Sequence, residues 1–182
     1  MFSAMRITQR LQILWLFLGI TSAVSAADFF DEWPGIKDAK ATELEKVIRG
    51  AERIEVFSLH PYPELDASGK MIDHGEGRQL HQWRILGKGE VVDAAEKDQL
   101  AVSLGAGIRA NDGNAALCFS PRHAMRCFTG EKHTDIIICF ECWQLRVGNE
   151  GEKYDLLLTT GEPAAEFDRV FKARGASKKS DE

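Results

Sequence analysis

Two β-rich apolar runs stand almost back to back in this chain, Ala115 to Phe128 (AALCFSPRHAMRCF) and Thr134 to Val147 (TDIIICFECWQLRV), with only Thr129-Gly130-Glu131-Lys132-His133 between them. Apolar runs joined by a short glycine-containing turn read as an antiparallel hairpin. All four cysteines, at 118, 127, 139 and 142, lie inside these runs. The register of one hairpin therefore decides which sulfurs can meet.

The flanking sequence supplies the rest of a small domain. Asp28 to Lys40 (DFFDEWPGIKDAK) mixes aromatics with Pro34 and Gly35 and reads as an arm lying over the body. Thr42 with Glu45 has the form of a capping box, and Leu44, Val47 and Ile48 then recur at helical spacing until Gly50. Glu52 to His60 and Leu80 to Leu86 read as strands, the second closed by Gly87 and Gly89, with a long Pro, Gly and Asp loop between them. Asp93 with Glu96 opens a second helix that carries Leu100, Leu104 and Ile108 on one face and ends in Asn111-Asp112-Gly113, with Gly105 and Gly107 read as ending or loosening it. Tyr154 to Thr160 is a further strand, and Pro163, the stripe Phe167, Val170 and Phe171, and the stop at Gly175 mark a closing helix. This order predicts a single α+β domain, with a mainly antiparallel sheet of about five strands and helices packed on one face.

The N-terminus carries an address rather than a fold. Arg6 and Arg10 precede the apolar run Leu11 to Ile20, and Val24-Ser25-Ala26 follows as a small-residue cleavage site. That is the pattern of a secretory signal peptide, and about ten strongly apolar residues are too few to span a hydrocarbon layer of about 30 Å. The expected organisation is a cleaved leader over 1–26, an arm over 27–40, the α+β domain over 41–175 and a disordered polar tail over 176–182. The expected location is periplasmic or secreted, with no membrane attachment after cleavage. Without the two leader arginines, the chain's 23 basic residues become 21 against 28 acidic ones, a formal charge of −7. Counterion release needs clustered Lys and Arg, so nucleic acid is excluded as a partner.

An even cysteine count in an oxidising compartment favours disulfides. With Gly130 in the turn, paired residue numbers should sum to about 258 to 261, which places Cys118 opposite a position between 140 and 143. Opposed Cα atoms about 4.5 to 5.5 Å apart suit a disulfide, so the simplest reading is a Cys118–Cys142 bridge clamping the hairpin, worth about 2 to 4 kcal/mol. Cys139 points to the other face unless the strand is broken, and Pro121 is a candidate breaker that would display Arg122 and His123. Three further readings use the same residues. Cys118, His123, Cys139 and Cys142 make a Cys₃His set of the kind zinc accepts, although a Cys-x-x-Cys ligand pair normally sits on a tight turn. Cys139 and Cys142 could exchange disulfides, although Ile136-Ile137-Ile138 and Glu141 give a thiolate no cationic support. His123 could activate a cysteine nucleophile, but no orienting group can be named. His60, His74 and His81, with Asp73 and Glu76, read as scattered surface residues beside the long loop.

The segment Cys118-Phe119-Ser120-Pro121-Arg122-His123, followed by Cys139-Phe140-Glu141-Cys142, resembles the signature of an uncharacterised family of small exported bacterial proteins, Cys-Phe-x-Pro-Arg-His with a later Cys-Phe-x-Cys. The resemblance covers mainly residues 115 to 147. It implies export and a compatible order of flanking elements, and no activity; Cys127 stands outside the signature.

These readings lead to an exported, non-enzymatic interaction or accessory module without a cofactor. Its disulfide-clamped hairpin would present Arg122 and His123 to an envelope or extracellular protein. The alternative is a zinc-binding or thiol-redox protein built on the same cluster.

Overall fold

The computed structural model describes residues 26–149 and 151–176. In chain order the elements are α1 (Ala26–Gly50), β1 (Arg53–Leu59), β2 (Gln79–Leu80), β3 (Trp83–Val91), α2 (Ala94–Ala110), β4 (His123–Thr129), β5 (Lys132–Cys139), β6 (Gln144–Gly148), β7 (Asp155–Leu158) and α3 (Ala164–Ala173). The expected leader and tail lie outside the described residues except for Ala26, which opens α1, and Ala176, which is fully buried.

The strands form one sheet in the order β2-β3-β1-β4-β5-β6-β7, antiparallel at every pairing. The expected α+β class holds, with seven strands in place of about five. The two extra strands come from β2, a two-residue edge strand, and from the division of Thr134 to Val147 into β5 and β6.

Alternation along the strands sorts the core into two faces. Ile54, Val56, Met125, Cys127, Ile136, Ile138 and Leu145 pack with residues of all three helices, among them Trp33, Ile48, Leu104, Ile108, Phe167 and Phe171. Phe57, Leu59, Ala124 and Ile137 face the other way, against Leu80, Trp83 and Phe119. Because both sides are covered, all three isoleucines of Ile136-Ile137-Ile138 are buried. Each such side chain contributes about 1.5 to 3 kcal/mol through the apolar surface removed from water.

The arm expected over 27–40 is helical. α1 runs through Pro34 to Gly50, and Trp33 is completely buried. Thr42 is no N-cap: its hydroxyl donates to the Asp38 carbonyl four residues back, as a mid-helix threonine does. Glu45 turns instead to Arg49 and Arg109. Asp93 does cap α2, its carboxylate accepting from the N–H groups of Ala95 and Glu96 at 3.0 Å. α2 runs straight through Gly105 and Gly107, and the latter is a contact glycine. A Cβ there would lie 2.5 Å from Thr159 Oγ1 and 2.6 Å from Pro163 Cγ.

The β4–β5 hairpin has Thr129 opposite Lys132 and His123 opposite Ile138, a register sum of 261, with Gly130 at φ 58° in the turn. The strand expected to begin near Ala115 starts only at His123. Pro121 has no N–H to give a ladder, and residues 111–122 leave the sheet as an irregular segment.

Candidate functional site

The cysteine cluster forms because β5 stops at Cys139. Cys139 pairs with Gln144 across a four-residue loop, Phe140 to Trp143. Sequence reasoning carried the strand through this point because the loop holds no glycine. Trp143 takes the left-handed position itself, at φ 58°, a conformation that costs a non-glycine residue about 1 to 2 kcal/mol. The Cys142 and Trp143 N–H groups donate to the Cys139 and Phe140 carbonyls at 3.2 and 3.4 Å, and the turn brings the Cys139 and Cys142 Cα atoms to 5.2 Å. Their sulfurs are joined in a disulfide.

This corrects the expected pairing. Cys142 is bonded to Cys139, and Cys118 keeps a free thiol with its Sγ 3.5 Å from that of Cys142. The physical reason is local: once the strand is broken, residues three apart no longer point to opposite faces. Cys118 arrives from the irregular segment rather than from a paired strand. The Ala116 N–H donates to the Cys142 carbonyl at 3.0 Å, and the Gln144 side-chain amide donates to the Ala116 carbonyl.

The three sulfurs differ in access and in neighbours. Cys139 and Cys142 are buried; Cys118 is exposed beside Leu117, which is fully open to solvent. Two backbone donors face the disulfide, Ser120 N–H toward Cys142 Sγ at 3.4 Å and Cys142 N–H toward Cys139 Sγ at 3.2 Å. Hydrogen bonds of this kind favour a thiolate over a thiol when the bond opens. Cys127 takes no part. It is buried against the helices, and burial, reinforced by the Asp135 charge, pushes its thiol up to about 12.

The zinc set Cys118, His123, Cys139 and Cys142 is not assembled. Two of its sulfurs are bonded to each other, and His123 Nε2 meets Asp168 Oδ1 at 2.8 Å, with its ring packed against Phe140 and Phe171. Among the described residues no group of three or more His, Cys, Asp or Glu side chains is arranged to hold a metal ion. Arg122 and His123, expected on display, are held by partners: Arg122 Nε lies 3.1 Å from Glu141 Oε1, and the His123 side chain is 13% exposed. Both line a groove of about 610 Å³ between the β5–β6 turn and α3. Ser120, the residue that donates to Cys142 Sγ, lines it too, so the groove adjoins the disulfide. Ser58, directly opposite His123 in the sheet, contributes a buried hydroxyl with no hydrogen-bond partner among the described residues.

The scattered histidines separate into two groups. His74 Nε2 meets Glu64 at 3.0 Å, with His60 at 4.0 Å from the same carboxylate, so neither Asp73 nor Glu76 is their partner. His81 belongs elsewhere. It sits at φ 52° in the two-residue β2–β3 turn, its Nε2 2.7 Å from the fully buried carboxylate of Asp135. Arg126 holds both oxygens of that carboxylate at 2.7 and 2.8 Å, and the Tyr154 hydroxyl bonds His81 Nδ1. Burial alone would push the Asp135 carboxyl up, but hydrogen bonds and charge from Arg126 and His81 outweigh it and hold the group below its ordinary value. Sequence reasoning missed this network. Its one visible signal was an acid placed directly before three isoleucines.

No protein-family model, curated protein or solved structure matches this chain. Its described residues define an α+β domain that carries a Cys-x-x-Cys disulfide in sulfur contact with a third, exposed thiol. No helix among them is long and apolar enough to cross a membrane.

Proposed function

We propose that this chain is an exported thiol–disulfide exchange module, in which Cys118 is the attacking thiol and Cys139–Cys142 the exchanging bond. The observation that carries the reading is the 3.5 Å contact between the free Cys118 sulfur and Cys142. As a thiolate, Cys118 attacks Cys142 Sγ. A Cys118–Cys142 bond forms as the Cys139–Cys142 bond breaks, and the electron pair leaves on Cys139 Sγ, which takes a proton from solvent. The proton given up by Cys118 goes to solvent, and nothing is oxidised or reduced.

The exchange moves the disulfide from a buried pair of sulfurs to one that includes an exposed sulfur. A thiolate of a partner protein can then attack Cys118, forming a mixed disulfide and releasing Cys142. A second partner thiolate then displaces Cys118 from the mixed disulfide: the partner gains a disulfide and this chain keeps the two electrons as thiols.

Oxidised protein mixed with a reduced dithiol peptide should oxidise the peptide. Cys118→Ser should slow that reaction at least about tenfold, since it removes the only exposed sulfur of the cluster, and Cys127→Ser should leave it unchanged. Equal rates for Cys118→Ser and the parent protein would contradict the reading.

A second reading, a non-enzymatic module that binds an envelope or extracellular protein, is favoured by the groove beside Arg122 and His123 and by the unpartnered Ser58 hydroxyl in its wall. Under that reading the peptide stays reduced, and substitutions along the groove alter binding without touching thiol chemistry.

A further inference from the structure

The second face of the sheet carries a smaller pocket, about 260 Å³, between the β2–β3 turn, Arg146 of β6 and Tyr154 ahead of β7. None of the seven residues that line it is acidic. The charged member is Arg146, which has no carboxylate within ion-pair distance among the described residues; its guanidinium stacks over Phe119 at 4.1 Å. In a chain with more acidic than basic residues, a half-buried guanidinium without a counter-charge is unusual. Burial pulls this group down from its ordinary value and the nearby Tyr154 raises it in part. Trp83 lines the same pocket, and its buried indole N–H also has no acceptor among the described residues. The pocket thus holds a guanidinium without a counter-charge, and one of its wall residues carries a buried indole N–H without an acceptor.

We propose that this pocket binds a small organic carboxylate with an apolar body, the carboxylate paired with Arg146 and the body against Trp83 and Met71. The planar guanidinium fork matches a carboxylate edge to edge. A single cation balances a single negative charge, which favours a monoanion over a phosphate. The volume falls just below the range of about 300 to 1,000 Å³ that suits drug-sized ligands, so the ligand is small. Its walls are set in advance: Tyr154 is bonded to His81, and His81 is locked by Asp135. A preformed wall spares the ligand the cost of ordering it.

Titration calorimetry with benzoate at low ionic strength tests the proposal. Benzoate should bind with a Kd of about 1 mM, as suits a fragment held by one ion pair. Arg146→Gln should weaken binding at least about tenfold and Arg146→Lys less, because the lysine keeps the charge and loses the fork. Benzyl alcohol, with the same ring and no charge, should not bind. If Arg146→Gln does not fold, the parent protein gives the answer by nuclear magnetic resonance: benzoate should shift the Arg146 Nε–H and Trp83 indole N–H signals. Absence of benzoate binding, equal binding by folded Arg146→Gln, equal binding of benzyl alcohol, or displacement of benzoate by equimolar inorganic phosphate would each overturn the proposal.

Discussion

Cys118 Sγ and Cys142 Sγ stand 3.5 Å apart although 24 positions separate them in the chain, and Cys142 is already bonded to Cys139. A thiol resting against a disulfide is the arrangement from which exchange proceeds without a large backbone movement.

Access and burial should divide the two free thiols. At about pH 8, native protein should take one alkyl group, at Cys118. Cys127, with its thiol near 12, has a thiolate fraction of about 10⁻⁴ there and should react only after unfolding. Peptide mapping after brief alkylation checks the division; rapid labelling at Cys127 would contradict it.

The same burial makes stability depend on alkaline pH. The Cys127 thiol is raised in the folded state, so its contribution is complete below the unfolded value of about 8.5 and is lost as pH rises toward about 12. Cys127→Val should flatten the stability curve in this window, by up to about 1.4 kcal/mol per pH unit. Parallel urea denaturation curves for the two proteins at pH 8 and pH 10 measure the difference.

Asp135 should be the most sensitive charge in the fold. It is fully buried and answers both the buried His81 and the partly buried Arg126, so Asp135→Asn removes the charge that both face and should cost about 2 to 4 kcal/mol in thermal or urea unfolding. Its carboxyl lies below the unfolded value, so its contribution is present above about pH 4 and is lost as pH falls through the folded value. A variant that loses under 1 kcal/mol, about the worth of a surface pair, would show the network to be peripheral.

The two glycines inside α2 should respond differently to alanine. Gly→Ala in a helix interior normally gains about 1 kcal/mol. At Gly107 the new Cβ meets Thr159 Oγ1 and Pro163, which are fixed by the chain that leads into α3, so overpacking of about 1 to 3 kcal/mol should make the net effect a loss. At Gly105 the nearest atoms are the far ends of Glu45 and Arg109, which can swing aside at the expense of their ion pair. Melting temperatures should therefore fall further for Gly107→Ala.

What the sequence made legible follows from short-range physics. The Asp93 cap, the Gly130 turn with a register sum inside the expected range of about 258 to 261, and the apolar stripe of α3 all depend on residues close in the chain, and all are found. The break after Cys139 was hidden because its turn uses Trp143 where a glycine would have announced it. The helix through Pro34 was hidden because tertiary burial of Trp33 outweighs the local signal for an arm. The cysteine cluster was legible as a neighbourhood but not as a pairing, since one unmarked turn changes which sulfurs face each other. The link from His81 to Asp135 spans 54 positions and has no local trace.

The central claim is that Cys118 can take Cys142 from Cys139, and disulfide mapping of the Cys139→Ser variant tests it most directly. With its usual partner removed, Cys142 should bond to Cys118 quantitatively on air oxidation, giving a Cys118–Cys142 cross-linked peptide and one remaining thiol at Cys127. Recovery of Cys118 and Cys142 as separate alkylated thiols, in folded protein under the same oxidation, would contradict the account.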